Sequence, residues 1–157
     1  MALSEPEAAV RDVPAGYRRL NLPGGFPALI GPFHYRWDDG HLVIGLRVAA
    51  RHTNARGVAH GGLLAFLSDA QLAVGLTAQV PLERFLPTIN LNCDFIAPAR
   101  LGTWIEGRTT TLRVTRNLIF GQCHITGADG QVMVRANGLL KIPPAGDAGF
   151  PLRDLLS

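Results

Sequence analysis

The chain is poor in the residues that would give it a disulfide or metal framework. It has two cysteines in 157 residues, and aromatic residues make up only 7%. Cys93 and Cys123 have neither the short spacing of a metal site nor the density of a disulfide-stapled domain. Both lie in apolar, strand-like stretches and read as reduced core thiols, which suits the cytoplasm. The five histidines form no H-x-x-x-H or H-E-x-x-H pattern, so a zinc hydrolase is not implied. No G-x-S-x-G elbow exists, which argues against a serine hydrolase of that kind. Charged residues are scarce at 17%, the net charge is +3, and the arginines are scattered rather than gathered in a tail or stripe. Nucleic acid is therefore not the expected partner. Residues 1–12 carry Glu5, Glu7 and Asp12 without an apolar segment, which argues against a secretory leader. The longest apolar run, Leu63 to Ala78, is broken by Ser68, Asp69 and Gln71 and reads as too short for a membrane span, so no membrane partner is expected.

What the chain does have is 47% hydrophobic residues, enough for one domain with one sizeable core. Residues 1–32 read as an N-terminal arm with room for a short helix, with Pro23, Gly24, Gly25 and Pro27 marking a loop. Phe33 to Trp37 and His41 to Ala50 read as strands joined by a turn at Asp38-Asp39-Gly40. A polar stretch, Arg51 to His60, leads through Gly61-Gly62 into a helix reaching about Ala78. That helix is apolar nearly all round, which marks it as buried. Four more strands follow: Thr88 to Ile96, Trp104 to Val114, Leu118 to Thr126 and Gln131 to Ile142. In the first of them Ile89, Leu91, Cys93 and Phe95 alternate with Thr88, Asn90, Asn92 and Asp94. The folded domain spans 33–142, and the Pro- and Gly-rich tail, 143–157, is expected to fray. One apolar helix among long strands predicts an α+β fold, a curved antiparallel sheet wrapped around a central helix.

Asp69 is the anomaly, a carboxylate in the middle of an otherwise apolar helix. Such a group costs free energy unless it is paired or used. Its plainer reading is a helix aspartate bonded to Ser68 or a threonine; its functional reading is a base or nucleophile. Gly61-Gly62 leaves the first helical turn without side-chain bulk, so a ligand oxygen could approach backbone N–H groups that have no intrahelical acceptor. A thioester carbonyl would be polarised there; a simple glycine hinge is the alternative. Asn54 and His60 flank this turn, and Thr88 opens the next strand; each is also an ordinary loop or strand residue. Asp69 lies eight residues beyond Gly61, about 12 Å along a helix axis. One substrate could then be served by both only if they come from different subunits, which implies a homodimer with active sites at its interface.

Asn54-Ala-Arg-Gly57-Val-Ala-His60-Gly61-Gly62, followed by Asp69, resembles the N-x-x-G-x-x-H-G-G…D signature of hotdog-fold thioesterases of the phenylacetate-degradation type. The stretch Thr88 to Gly102 is similar to that family's next element, in which a Ser or Thr begins the strand and Pro-Ala-x-x-Gly closes it. The resemblance implies a sheet around a central helix, dimers that often pair into homotetramers, and hydrolysis of acyl-CoA thioesters. It implies Asp69 as nucleophile or general base and the Gly61 N–H as the group polarising the carbonyl. Asn54 would position water or substrate, and Thr88 would assist from the same subunit as Asp69. His60 and Gly62 would shape the turn and the approach of the pantetheine arm. No cofactor is implied; coenzyme A enters as part of the substrate. For its phosphates, Arg116 with Asn117 is the first candidate, ahead of Arg100 and Arg135. Phe66, Leu64, Leu82, Phe85 and Leu86 are candidates for an acyl pocket or for plain core.

A hotdog hydratase would need an aspartate placed before the histidine, and the residue five before His60 is Ala55. A regulator carrying a DNA-binding helix-turn-helix would need a longer and more basic arm. A non-catalytic acyl-CoA-binding module remains the alternative, since every residue named could hold a ligand without cleaving it.

Overall fold

The computed structural model describes residues 12–80, 82–146 and 151–156. Seven strands form one antiparallel sheet: β1 (Arg18–Leu20), β2 (Phe33–Asp38), β3 (His41–Arg47), β4 (Thr88–Phe95), β5 (Trp104–Val114), β6 (Leu118–Gly127) and β7 (Val132–Lys141). Their order is β1-β2-β3-β5-β6-β7-β4. The short helix α1 (Gly25–Ile30) precedes β2, the long helix α2 (Gly61–Gln79) precedes β4, and α3 (Leu152–Leu155) ends the described chain. Thus the Pro23–Pro27 stretch, expected to be a loop, runs into a helical turn, and β1 joins the sheet ahead of Phe33. The strand starting at His41 ends at Arg47, because Ala50–His52 turns into a 3₁₀ helix.

The core lies between α2 and the concave face of the sheet. Leu67, Leu72 and Leu76 of the helix are fully buried against Leu42, Ile44 and Leu46 of β3, Ile105 of β5, Ile119 and Ile125 of β6, and Leu140 of β7. Each such side chain contributes about 1.5–3 kcal/mol. By length and composition the 19-residue helix could cross a membrane, longer than the sequence reading allowed, but most of that window is buried inside the protein. Its one fully buried amide, Gln71, replaces a stretch of sheet bonding. Gln71 Oε1 accepts the Ile44 N–H at 2.8 Å, and its Nε2 donates to the Leu42 carbonyl at 2.9 Å and to Thr109 Oγ1 at 3.0 Å. The β2–β3 turn is as its sequence requires, with Asp39 (φ 49°) and Gly40 (φ 75°) both left-handed.

The N-terminal segment covers the convex face. Tyr17 stands edge-on to Trp104, with ring centroids 4.8 Å apart, and its hydroxyl donates to Glu106. Burial first, then that bond, pushes the Tyr17 hydroxyl up to about 12. This is why β3 is buried on both faces although it alternates in only one pattern. The tail does not simply fray: Leu152, Leu155 and Leu156 pack against the core, while residues 147–150 and 157 lie outside the described part.

Candidate active site

The polar stretch before α2 folds into a compact support for the helix N-terminus. Asn54 Oδ1 accepts the Arg56 N–H at 2.9 Å, and the Gly57 N–H returns to the Asn54 carbonyl at 2.9 Å, an Asx-type turn. His60 is the N-cap of α2, and its Nδ1 accepts the Gly62 N–H at 2.9 Å. That bond requires the ring proton to sit on Nε2. A Cβ at Gly62 would lie 3.0 Å from His60 Nδ1, so glycine makes room for the cap. With Gly62 engaged by His60, the Gly61 N–H has no protein acceptor among the described residues. It is the open donor at the positive end of the helix dipole. The Phe95 ring lies over Gly61, 3.6 Å from where a side chain would begin.

His52 orients this turn and carries no signature in the sequence. It is buried, its Nδ1 accepts the Ala49 N–H at 2.9 Å, its Nε2 donates to the Ile30 carbonyl at 2.8 Å, and its own carbonyl takes the His60 N–H. Burial holds its imidazole below the usual range.

Two turns further along α2, Asp69 is half-buried, and its Oδ1 accepts the Thr88 hydroxyl at 2.6 Å. The Ser68 hydroxyl is turned inward to the Leu64 carbonyl and takes no part. Strict alternation would put Thr88 on the face opposite Leu91 and Cys93. The register shift between Thr88 and Asn90 inserts a bulge at Ile89 instead. Thr88 therefore shares the helix-facing side, and Ile89 turns out to solvent, 55% exposed. Asp69 Oδ2 has no protein partner among the described residues. Because Phe95 meets Gly61 and Thr88 meets Asp69, β4 runs antiparallel to α2 along one flank of the helix.

The two cysteines face the same interior. Cys93 and Cys123 both lie in register with Ala136, two strands apart, and both are free. Burial raises the Cys93 thiol and pushes Cys123 up to about 12, so neither is an activated nucleophile.

A cavity of about 260 Å³ opens beside Asp69 and Thr88, and its walls are mostly apolar side chains. Phe66, Phe85 and Leu86 line it; Leu64 and Leu82 do not, Leu64 belonging to the core and Leu82 packing against it. Arg116 and Asn117 lie apart from Asp69 in sequence but line a second cavity of about 550 Å³, with Lys141 and Arg84. No carboxylate pairs with Arg84, Arg116 or Lys141 among the described residues, whereas Arg135 is bound to Asp94 at 2.6 Å. Arg84, absent from the sequence reading, lines both cavities and donates to the Pro143 carbonyl at 2.8 Å. Within one chain the candidate site residues therefore fall into two groups. Thr88 and Asp69 are joined, while Gly61, His60, Gly62 and Asn54 cluster about 12 Å away along the helix axis.

A single long helix gripped by a curved antiparallel sheet, with a carboxylate mid-helix and a glycine pair at its start, is the hotdog architecture. The chain belongs to the thioesterase superfamily, whose family model matches residues 56–134. It is 30% identical over 133 residues to a Pseudomonas aeruginosa protein that carries the name of an esterase, an assignment still provisional for that protein. The match covers 84% of this chain and 98% of the other. It is 30% identical over 99 residues to human acyl-coenzyme A thioesterase 13, covering 61% of this chain and 69% of that one. In fold it matches a single-residue variant of the phenylacetic acid degradation protein of Thermus thermophilus, with a TM-score of 0.65 and 21% identity, over 75% of this chain and 98% of that one.

Proposed function

We propose that the protein hydrolyses acyl-coenzyme A thioesters to the free acid and coenzyme A, at sites shared between the two subunits of a homodimer. The observation that carries the reading is the Asp69–Thr88 pair at the wall of an apolar cavity, with one carboxylate oxygen left unbonded. Thr88 fixes the carboxylate, and Oδ2 either attacks the thioester carbonyl or takes the proton of a water that does. The Gly61 N–H, left open by the His60 cap, stabilises the oxyanion that forms as the carbonyl π bond breaks. Collapse of that intermediate expels the thiolate of coenzyme A, which takes up a proton; the water route leaves the free acid directly, and the attack route leaves an acyl–aspartyl anhydride that water then hydrolyses to the acid and the Asp69 carboxylate. Asn54 presents Nδ2 donors that no described residue occupies, suited to orienting water or the acyl carbonyl. Arg116, Asn117, Lys141 and Arg84 suit the phosphates of coenzyme A. The human relative's name supports a coenzyme A thioester as substrate.

The sheet edge supports the dimer. β4 ends the sheet, and its outer edge has no strand beside it among the described residues. Ile89, Phe95 and Ile96 are exposed along it. Such an edge is a template for a second strand. Antiparallel pairing of two β4 strands about a two-fold axis at Asn92, with the Ile89 bulge taking up one residue, would set Thr88 opposite the partner's Phe95. Because Thr88 marks Asp69 and Phe95 marks Gly61, each Asp69 would then face the partner subunit's Gly61, closing the 12 Å gap.

The test is thiol release from a panel of short, aromatic and long acyl-CoAs. Wild type should release thiol, and Asp69→Asn should lose at least about a thousandfold in kcat. Binding without thiol release across the whole panel would make the protein an acyl-CoA-binding module instead. Mixing Asp69→Asn and Gly61→Pro subunits should restore part of the activity in heterodimers. Folded heterodimers that stay inactive would overturn the shared site.

A further inference from the structure

Resting on that reading, we propose that the cavity beside Asp69 is the acyl pocket and that the chain's own terminal segments close it, with Leu155 limiting acyl length. The α2 face toward the cavity carries Phe66, Asp69, Ala70, Ala73, Val74 and Thr77. The alanines leave a trough along the helix, and Asp69 to Thr77 spans about 12 Å. Across the trough stand Leu22, Pro23 and Pro27 from the segment around α1 and Leu155 from α3. These walls come from outside residues 56–134, the part that matches the family model. They are fastened in place: the Asn21 N–H donates to the Leu155 carbonyl at 2.9 Å, and the Tyr35 hydroxyl donates to the Leu156 carbonyl at 3.1 Å. Leu152, Leu155 and Leu156 pack on the core beneath.

Asp69 and Thr88 fix where the thioester carbon must lie, and the apolar walls fix the chemistry of what extends from it: a hydrocarbon or aryl acyl group. An extended alkyl chain advances roughly 1.25 Å per carbon, given bonds near 1.5 Å and angles near 111°. The trough therefore holds an acyl group of about ten carbons along the helix, and Leu155 with the N-terminal wall narrows it from the opposite side. Tyr35 is a positioning residue here, acting only through the bond that holds the C-terminal segment down.

The decisive measurement is binding by calorimetry of a series of S-alkyl-coenzyme A thioethers, which cannot be hydrolysed, alongside kcat/KM for the matching acyl-CoAs. Affinity should rise about fourfold per added methylene and then break near ten carbons. Leu155→Ala should move the break two to four carbons longer, and Leu155→Phe should move it shorter. Tyr35→Phe should blur the break while leaving short-chain kcat unchanged. An affinity that ignores chain length, or a break that stays put in both Leu155 variants with native circular dichroism, would overturn the pocket assignment. A chain-length break without hydrolysis of any acyl-CoA would support the pocket and defeat the thioesterase reading alone.

Discussion

At the scale of single residues, the site depends on which polar atoms are already engaged. Thr88 gives Asp69 a bonded oxygen and leaves the other open. Removing a hydrogen bond to a charged group costs about 1.5–3 kcal/mol, so Thr88→Val should lower kcat roughly ten- to a hundredfold, with KM little changed, in steady-state kinetics. His52 makes a prediction about pH. Burial holds its folded-state pKa below that of the unfolded chain, and His34 is shifted the same way, first by burial and then by Arg19. Below about pH 6.5 the unfolded chain binds protons that the folded one refuses, so stability is full above that pH and falls as the solution is acidified. Urea midpoints measured across this range should show the fall, and His52→Gln should flatten it. An unchanged acid limb in the variant would remove His52 as the cause. The sequence displayed Asp69, His60 and the glycine pair plainly. It said nothing of His52, whose partners Ala49 and Ile30 are brought to it by a tight turn and by a segment 22 residues away.

At the scale of elements, periodicity located the long helix and six strands because each buries a face. It failed where polar bonding rather than burial sets the conformation. The bulge at Ile89 is one such place: the residues alternate cleanly, and only pairing with β7 puts Thr88 on the helix side. Gln71 is another. An apolar side chain there would satisfy the helix pattern equally well, but the sheet needs the amide for the Ile44 N–H and the Leu42 carbonyl. Gln71→Leu should cost about 3 kcal/mol, since two buried backbone groups lose their partners. Equilibrium denaturation with urea measures it, and a loss under half that size would mean the sheet re-pairs without the amide.

At the scale of the whole molecule, the two groups of candidate site residues lie about 12 Å apart along one helix, which is why the proposed reaction calls on two subunits. Asn92 is exposed and sits at the proposed two-fold axis, opposite its own copy. Asn92→Asp would bring two carboxylates together across that axis and should weaken the dimer about tenfold while leaving the fold of each chain intact. Sedimentation and kcat/KM on dilution should fall together. A monomer that keeps full activity per chain would show that Asp69 and Gly61 need not be shared.

The sequence by itself determined the fold class and singled out the candidate reactive groups, because a buried helix, alternating strands and a misplaced carboxylate are local patterns of hydrophobicity and charge. The spacing of Asp69 from Gly61 followed from helix geometry alone. Only the tertiary structure decided what surrounds those groups. It joined Thr88 to Asp69 through a bulge and engaged Gly62 so that the Gly61 N–H stays open. It also laid Leu22 and Leu155, 133 positions apart in the chain, along one cavity. Those contacts depend on strand register and on the docking of terminal segments, which are fixed by the packing of the whole chain and not by any pattern within a short stretch of it.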